Sequence, residues 1–112
     1  MATEKSEKYE VSRLGAVPTR NSGRGHTQKA DGIVYLNGQP FITTDVKEYS
    51  VSYSLSISKW AKLVSDAKVN GFSQPCFQIV LGNEEPRVRI VAVSETFFLR
   101  LLEYYKEGHL DE

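Results

Sequence analysis

The stretch DGIVYLNGQPFITTDVKEY, residues 31–49, decides the fold. Runs rich in β-branched and aromatic residues lie at both of its ends, and the dipeptide Asn37-Gly38 separates them. Asn-Gly between two such runs is a strong signal for a β-hairpin. We therefore expect two antiparallel strands, residues 31–36 and residues 41–49, joined through this dipeptide.

The register of the hairpin decides which of its charged side chains share a face. Because side chains alternate along a strand, Asp45 and Lys47 lie on the same face. A strict two-residue loop would pair Asp31 with Thr44 and point the Asp31 side chain to the opposite face. A three-residue connection, with Gly38 in the left-handed conformation, would put Asp31 on the face of Asp45. We expect the three-residue connection, because Gly38 is the residue that such a bulge requires.

The segments on either side of the hairpin alternate between helical and strand patterns. Helices are predicted over residues 3–14, 57–70 and 95–108, and two further strands over residues 75–81 and 87–93. Residues 16–29 contain a proline and two glycines and predict a loop. The element order is α-β-β-α-β-β-α, which predicts an α/β fold with a mixed sheet flanked by helices.

Composition places the chain among ordinary globular domains. Its 112 residues are 40% hydrophobic and 25% charged, which excludes a collagen-like rod and predicts a single domain over residues 1–112. No apolar run approaches the ~20 residues of a membrane span and no signal peptide is evident, so we expect a soluble cytoplasmic protein without a membrane partner. The single cysteine, Cys76, cannot form an internal disulfide, and one cysteine with two histidines cannot fill a closed zinc site.

The charge is unevenly distributed although it sums to zero. Between residues 11 and 30 the four charged side chains are all basic, namely Arg13, Arg20, Arg24 and Lys29. Such a segment is either a solvated loop or a phosphate-binding surface, since local charge matters more than the total for a nucleic-acid partner.

Three acidic positions and one lysine lie where packing alone does not require them. Glu7 falls on the apolar stripe of the first helix, where a carboxylate is costly unless a cation meets it. The alternatives are that Glu7 turns outward or that the first turn frays. Asp45 and Lys47 are poor strand formers, so their common face indicates either a site or an ion pair on a solvated sheet. Asp31 begins the preceding strand.

Together, Glu7, Asp31, Asp45 and Lys47 are expected to converge where the first helix faces the start of the hairpin. Three carboxylates in one small pocket cannot all remain ionised without a cation. Mg²⁺ is usually held by one or two carboxylates together with phosphate oxygens and water. A lysine beside it can orient the attacking water or stabilise negative charge that develops on phosphorus. Carboxylates that bind a metal ion, together with an adjacent lysine, are the groups that phosphodiester hydrolysis uses.

Four segments in their order along the chain resemble one known superfamily. They are residues 7–15, Ser22-Gly23-Arg24-Gly25 through Lys29-Ala30-Asp31, Asp45-Val46-Lys47, and Ser52-Tyr53-Ser54-Leu55 through Trp60. This set is similar to the restriction-endonuclease-like superfamily with its PD-(D/E)xK motif, and within it to small archaeal and phage-type Holliday junction resolvases. The similarity covers nearly the whole chain. Two positions depart from the pattern: Ala30 replaces the proline of the motif, and Asp45 replaces the glutamate that is usual in resolvases.

The resemblance implies a restriction-endonuclease-like αββαββα core and an Mg²⁺-dependent endodeoxyribonuclease, with Mn²⁺ as a substitute. Its substrate would be a four-way DNA junction, cut by paired symmetric nicks in a prokaryotic or phage-infected cell. Asp31 and Asp45 would be metal ligands, with the backbone carbonyl of Val46 as a third, and Glu7 would act directly or through water. Lys47 would position the attacking hydroxide.

The resemblance also implies that residues 16–29 form a loop facing the DNA. Ser22 would be the residue of this loop near the scissile phosphate. The expected DNA contacts are Arg13, Arg20, Gly23, Arg24, Gly25, His26 and Lys29. His26 is alternatively a general base, and Lys29 alternatively pairs with a carboxylate of the site.

The third helix predicts a homodimer. Its apolar residues surround it instead of forming one stripe, and they are Phe97, Phe98, Leu99, Leu101, Leu102, Tyr104 and Tyr105. Packing on its own sheet cannot cover all of them, so a spare face is available to a second copy. The alternative is a helix wedged between the sheet and a loop of one subunit.

Two other functions stay open, and so does one charged face. The chain is alternatively a flap or other branched-DNA endonuclease of the same superfamily, or a catalytically inactive DNA-binding or assembly module of that fold. Arg87 and Arg89 share one face of the last strand, where they either extend the basic surface or merely solvate it.

Overall fold

The structure of the protein is a computed structural model that describes residues 3–20 and 28–109. In chain order the elements are α1 (Glu4–Arg13), β1 (Val17–Pro18), β2 (Gly32–Leu36), β3 (Gln39–Tyr49), α2 (Ile57–Val69), β4 (Gln74–Leu81), β5 (Val88–Val93) and α3 (Glu95–His109). The predicted α/β class is confirmed. The short strand β1 corrects the prediction, since it lies inside the segment that was expected to be a loop.

The five strands form one mixed sheet in the order β1-β2-β3-β4-β5. All neighbours are antiparallel except β3 and β4, which run parallel. A parallel pair needs a crossover connection, and α2 supplies it. The long strand β3 is therefore central: its first half pairs with β2, and residues 42–49 pair with β4.

The predicted three-residue connection in the β2–β3 hairpin is wrong. Leu36 pairs with Gln39, so the turn contains only Asn37 and Gly38. Both have positive φ, at 53° and 78°, as a type I′ turn requires. The primed turn matches the twist of the two strands, which explains why this dipeptide closes the hairpin without an additional residue.

A β-bulge in β3 nevertheless adds one extra residue to the hairpin, which was expected in the turn. Tyr35 pairs with Pro40 and Val34 pairs with Ile42, so Phe41 has no partner on β2. Beyond this point the register places Gly32 opposite Thr44. Asp31 follows this pairing, and its backbone N–H donates to the Thr44 carbonyl oxygen at 3.0 Å. The extra residue of the hairpin therefore lies in a bulge within the strand and not in the turn.

Helices cover the two faces of β3. On one face, Val46 packs with Val11 of α1 and with Ala16 in a single buried cluster. On the other face, Leu63 and Ala67 of α2 are buried. The alternation of β3 therefore directs Val46 toward α1, whereas Asp45 and Lys47 line a cavity with residues of α2.

The start of β2 lies in close contact with α1. A Cβ atom on Gly32 would lie 2.6 Å from a methyl carbon of Val11, closer than real side chains approach. Glycine at this position allows α1 to pack against the beginning of the hairpin. This close approach places the first helix next to Asp31, which precedes Gly32 in the chain.

Hydroxyl side chains cap the N-terminal ends of the three helices. The Thr3 side chain accepts a hydrogen bond from the Ser6 backbone, and the Ser56 side chain does the same for Lys59. Ser94 accepts from the backbone of Phe97 at the start of α3. Within the described ranges, no helix is both long enough and apolar enough to span a bilayer.

Candidate functional site

Two aspartates lie at the open end of the β2–β3 hairpin. The backbone N–H of Asp31 donates to the carbonyl oxygen of Thr44 at 3.0 Å, which continues the hairpin past the end of β2. The Oδ2 atom of Asp31 accepts a hydrogen bond from the backbone N–H of Val46 at 2.7 Å. The Asp45 carboxyl group lies near enough to influence the ionisation of Asp31. The hairpin therefore places two carboxyl groups close together.

This proximity alters the acidity of Asp31. Burial, the Asp45 carboxyl group and the charge of Glu7 raise the pKa of Asp31 from 3.8 to about 7, against the opposing effect of the Val46 hydrogen bond. The neighbouring negative charges therefore favour the protonated form of Asp31. A cation that replaced this proton would satisfy both groups.

Lys47 completes the arrangement on the same face of β3. Its Nζ atom lies 3.1 Å from Oδ2 of Asp45, and the two side chains are 31% and 23% exposed. Burial alone would lower the pKa of the Lys47 ammonium, but the hydrogen bond and charge of Asp45 outweigh it, so this pKa is raised. Lys47 is therefore charged and lies at the edge of the site, in reach of solvent.

The donor set fits a hard divalent cation. In a regular strand the N–H and carbonyl of one residue point to the same side, so the Val46 carbonyl faces Asp31 as its N–H does. Two carboxylates and a carbonyl oxygen are ligands that Mg²⁺ accepts, with water or phosphate oxygens filling its other positions. Asp31, Asp45 and Val46 would hold such an ion.

Glu7 lies close to this pair without completing a three-carboxylate cluster. Its charge contributes to the raised pKa of Asp31, and its side chain is half-buried on α1. Across residues 3–20 and 28–109, no group of three or more His, Cys, Asp or Glu side chains is arranged to hold a metal ion. The structure therefore brings together Asp31, Asp45 and Lys47, with Glu7 in the surrounding electrostatic field.

The other predicted site residues are only partly described. Ser22, Gly23, Arg24, Gly25 and His26 lie outside the described residues. Arg13 is half-exposed on α1, where it donates to the Tyr9 hydroxyl. The side chains of Arg20 and Lys29 are both exposed. The Lys29 backbone forms two hydrogen bonds with the Asn70 side chain. Arg20 and Lys29 thus flank residues 21–27 on the surface.

The departure from the motif at Ala30 has a structural counterpart. Ala30 has a φ of 63°. Proline is restricted to a φ near −65° and cannot adopt this conformation. The chain therefore reaches Asp31 by a left-handed residue that the proline of the motif name would not permit.

Sequence reasoning missed a buried ion-pair network on the α1 side of the sheet. Glu10 on α1 is 1% exposed and binds both Arg87 and Arg89. Arg87 also binds Glu48, which in turn accepts a hydrogen bond from Ser6. The two arginines therefore anchor α1 to β3 and β5, and they do not extend the basic surface. In the sequence, this network was indicated only by the spacing of Arg87 and Arg89, which lie two residues apart and therefore share one face of the strand.

A cavity beside Asp45 and Lys47 was also missed. Its volume is about 150 Å³, and its walls come from β3, β4, α2 and the segment between β3 and α2. The lining side chains are Asp45, Lys47, Tyr49, Tyr53, Lys59, Lys62, Leu63, Asp66 and Phe77. The hydroxyl of Tyr53 is buried with no hydrogen-bond partner among the described residues. Burial raises the pKa of this hydroxyl, and Lys47 and Asp45 act on it in opposite directions.

Comparison of the chain with protein-family models, with curated proteins and with solved structures gave no match. Its function is therefore inferred from the chemistry of these residues.

Proposed function

We propose that this protein is a metal-dependent endodeoxyribonuclease that resolves four-way DNA junctions by paired symmetric nicks. The observation that carries the proposal is the closeness of Asp45 to Asp31, which raises the pKa of Asp31, together with the Lys47 ammonium 3.1 Å from Asp45. A cation-binding pair of carboxylates with an adjacent fixed positive charge matches the needs of phosphodiester hydrolysis.

In this proposal, Asp31, Asp45 and the Val46 carbonyl hold Mg²⁺, and Mn²⁺ can replace it. The bound cation supplies Lewis-acid polarisation of the phosphate and lowers the pKa of a water molecule. Asp31 releases its proton to solvent when the ion is taken up, because protonated carboxyl groups are poor ligands. Lys47 donates hydrogen bonds from Nζ to the attacking water or to a phosphate oxygen and stabilises negative charge in the transition state.

The basic residues near this site supply phosphate contacts. Arg20 and Lys29 are exposed on either side of residues 21–27, and Lys29 is two residues from Asp31. Neutralising backbone phosphates with such residues contributes sequence-independent affinity. We include Arg13, Arg24 and His26 in this DNA-facing surface, and Ser22 near the scissile phosphate.

A second copy of the chain is the proposed occupant of the apolar surface of α3. Among residues 95–108 only Phe97 is buried, where its ring meets Phe41 edge to face at 5.5 Å. The other large apolar side chains are 37–74% exposed: Phe98, Leu99, Leu101, Leu102, Tyr104 and Tyr105. A standard interface buries about 800 Å² on each partner and is rich in such aromatic and aliphatic side chains. A symmetric dimer would also provide the two active sites that paired nicks require.

The experiment is cleavage of a synthetic immobile four-way junction, with a flap and a linear duplex of matched sequence beside it. With Mg²⁺, the protein is expected to nick the junction at two symmetric positions and to leave the duplex intact. Asp31→Asn, Asp45→Asn and Lys47→Ala should abolish nicking and retain junction binding, while Lys68→Ala, an exposed lysine at the far end of α2, should cleave normally.

Each other outcome changes the assignment in a defined way. Cleavage of the flap but not of the junction would assign the protein to another class of branched-DNA endonuclease. Binding without cleavage in Mg²⁺ or Mn²⁺ would indicate an inactive DNA-binding or assembly module. Full nicking by the Lys47→Ala variant would remove this lysine from the mechanism.

A further inference from the structure

An aromatic pair lies beside the proposed catalytic residues. Tyr49 ends β3 on the same face as Asp45 and Lys47, because side chains two apart share a face. The Tyr49 and Tyr53 rings are stacked, with centroids 5.3 Å apart and planes inclined by 26°. Tyr53 is supported from within by Phe77 at 5.9 Å. The Tyr53 ring, which itself packs against the buried Phe77, therefore holds the Tyr49 ring in place.

The outer part of this pair is open to solvent. Tyr49 is 47% exposed, whereas Lys47 and Asp45 on the same face of β3 are half-buried. A rigid aromatic ring with one side supported and another exposed is the form of platform on which nucleic-acid bases stack.

Positive charges surround the same cavity. The ammonium group of Lys59 lies 4.7 Å from the centroid of the Tyr53 ring, and Lys47 and Lys62 line the cavity as well. Lys62 is 78% exposed and binds Asp66 through its Nζ atom at 3.0 Å. Aromatic rings combined with a basic groove are typical of surfaces that hold unpaired nucleic-acid strands.

The spacing along β3 matches the scale of a nucleotide chain. At about 3.3 Å per residue, Tyr49 lies about 7 Å from Lys47 and about 13 Å from Asp45 along the strand. Stacked nucleotides rise about 3.4 Å each in one strand of B-DNA. A phosphate bound at Asp45 would therefore place bases within about four nucleotides in reach of the Tyr49 ring.

We propose that Tyr49 is a stacking platform for an unpaired base close to the scissile phosphate, and that Lys59 and Lys62 contact the phosphates next to that base. The inference rests on the proposed nuclease function and specifies its substrate: DNA in which a nucleotide near the cut has left the helical stack. A base at a branch point costs less to unstack than a base within a continuous duplex. Stacking on Tyr49 would therefore favour branched DNA over linear duplex.

The test is a double-substitution cycle that removes the ring and the base separately. Junction affinity is measured in Ca²⁺ with no Mg²⁺ present, for the wild type and for Tyr49→Leu. The junction carries either all its bases or one abasic residue, scanned over the four nucleotides on each side of the mapped or expected cut. Tyr49→Leu should weaken binding of the intact junction by about tenfold, as expected for the loss of one stacked base. At the stacked position the abasic junction should bind both proteins equally.

Two control variants separate stacking from a structural role. Tyr49→Phe keeps the ring and should keep the affinity and the abasic effect. Tyr35→Leu removes another half-exposed tyrosine, on β2, and should change neither. Tyr49→Ile serves as a second variant without the ring, and thermal unfolding identifies the variants that are folded. Equal affinities of the wild type and a folded ring-less variant for the intact junction would overturn the inference.

Failure of the inference is distinguishable from failure of the proposed function. Nicking in Mg²⁺ without an effect of Tyr49 on affinity overturns the stacking platform and leaves the nuclease. An abasic effect that depends on Tyr49 without nicking supports the platform and overturns catalysis. If the wild type does not bind the junction, both fail.

Discussion

The carboxyl group of Asp31 accepts a hydrogen bond from the backbone N–H of Val46 at 2.7 Å, at the open end of the β2–β3 hairpin. Burial and the nearby Asp45 carboxyl group favour its protonated form and raise the pKa of Asp31 to about 7. In the proposed function, a divalent cation would have to displace this proton. The site should therefore have a pH dependence that can be measured without any substrate.

We expect the wild-type protein without metal to lose stability as the pH rises from about 4 to about 7. The folded state keeps the Asp31 proton up to a pKa of about 7, whereas the unfolded state releases it near the ordinary value of 3.8. The stabilisation is therefore complete below pH 3.8 and is lost as the pH passes through 7. Asp31→Asn keeps an acceptor for Val46 and removes the ionisation, so this variant should gain stability relative to the wild type at pH 8. Urea unfolding in EDTA at pH 5 and at pH 8 measures the difference.

The matched control for this effect is Glu84→Gln, which neutralises an exposed carboxylate in the loop before β5. It should change the free energy of unfolding little at either pH. If the difference between Asp31→Asn and the wild type were the same at pH 5 and pH 8, Asp31 would not titrate in this range.

Ca²⁺ should stabilise the folded protein through the same two carboxylates. At a concentration of 100 times its dissociation constant, a ligand of the folded state adds about 2.7 kcal/mol. The rise in melting temperature should be larger at pH 8 than at pH 5.5, because the Asp31 proton must leave before the ion binds. Differential scanning fluorimetry with a Ca²⁺ titration measures it.

Asp45→Asn should eliminate the Ca²⁺ effect. Asp66→Asn is the control, because Asp66 lines the neighbouring cavity but pairs with Lys62. A full Ca²⁺ response in the Asp45→Asn protein would show that the ion binds elsewhere.

Much of this site could be predicted from local sequence, because local rules determine it. The Asn37-Gly38 dipeptide fixes the turn, and alternation puts Asp45 and Lys47 on one face. The bulge at Phe41 could not be predicted, because an extra residue within a strand follows from packing in three dimensions. The closeness of Asp31 to Asp45 was expected on the wrong grounds, since the odd residue lies in the strand and not in the turn.

The buried ion-pair network of Glu10 with Arg87 and Arg89 could not be predicted from the sequence. In the sequence Glu10 is one more charged residue on a helix that is rich in charge, and its partners Arg87 and Arg89 lie almost eighty residues away. Periodicity describes one element at a time. It cannot identify which residues of two distant elements pair when the chain folds.

We expect the exposed surface of α3 to hold two copies of the chain together. Phe98→Asp introduces a charge into this surface and should convert a dimer into a monomer in sedimentation velocity at micromolar concentration. Ser65→Asp, on the exposed face of α2, is the control and should leave the dimer intact. The monomeric variant should still make single nicks, but the two nicks should no longer be coupled. A wild-type protein that sediments as a monomer would refute the assigned occupant of this surface.

Glu10→Gln should be the most destabilising of these substitutions. Glu10 is 1% exposed and accepts hydrogen bonds from Arg89 at 2.9 and 3.0 Å and from Arg87 at 3.0 Å. Removing its charge leaves two arginines only 19% and 22% exposed without this partner. Breaking a buried ion pair costs about 3–5 kcal/mol, to be measured by urea unfolding at pH 7. Glu85→Gln, which removes a 61% exposed partner of the same arginines, should have little effect. Equal losses for the two variants would show that burial of Glu10 does not set the strength of the network.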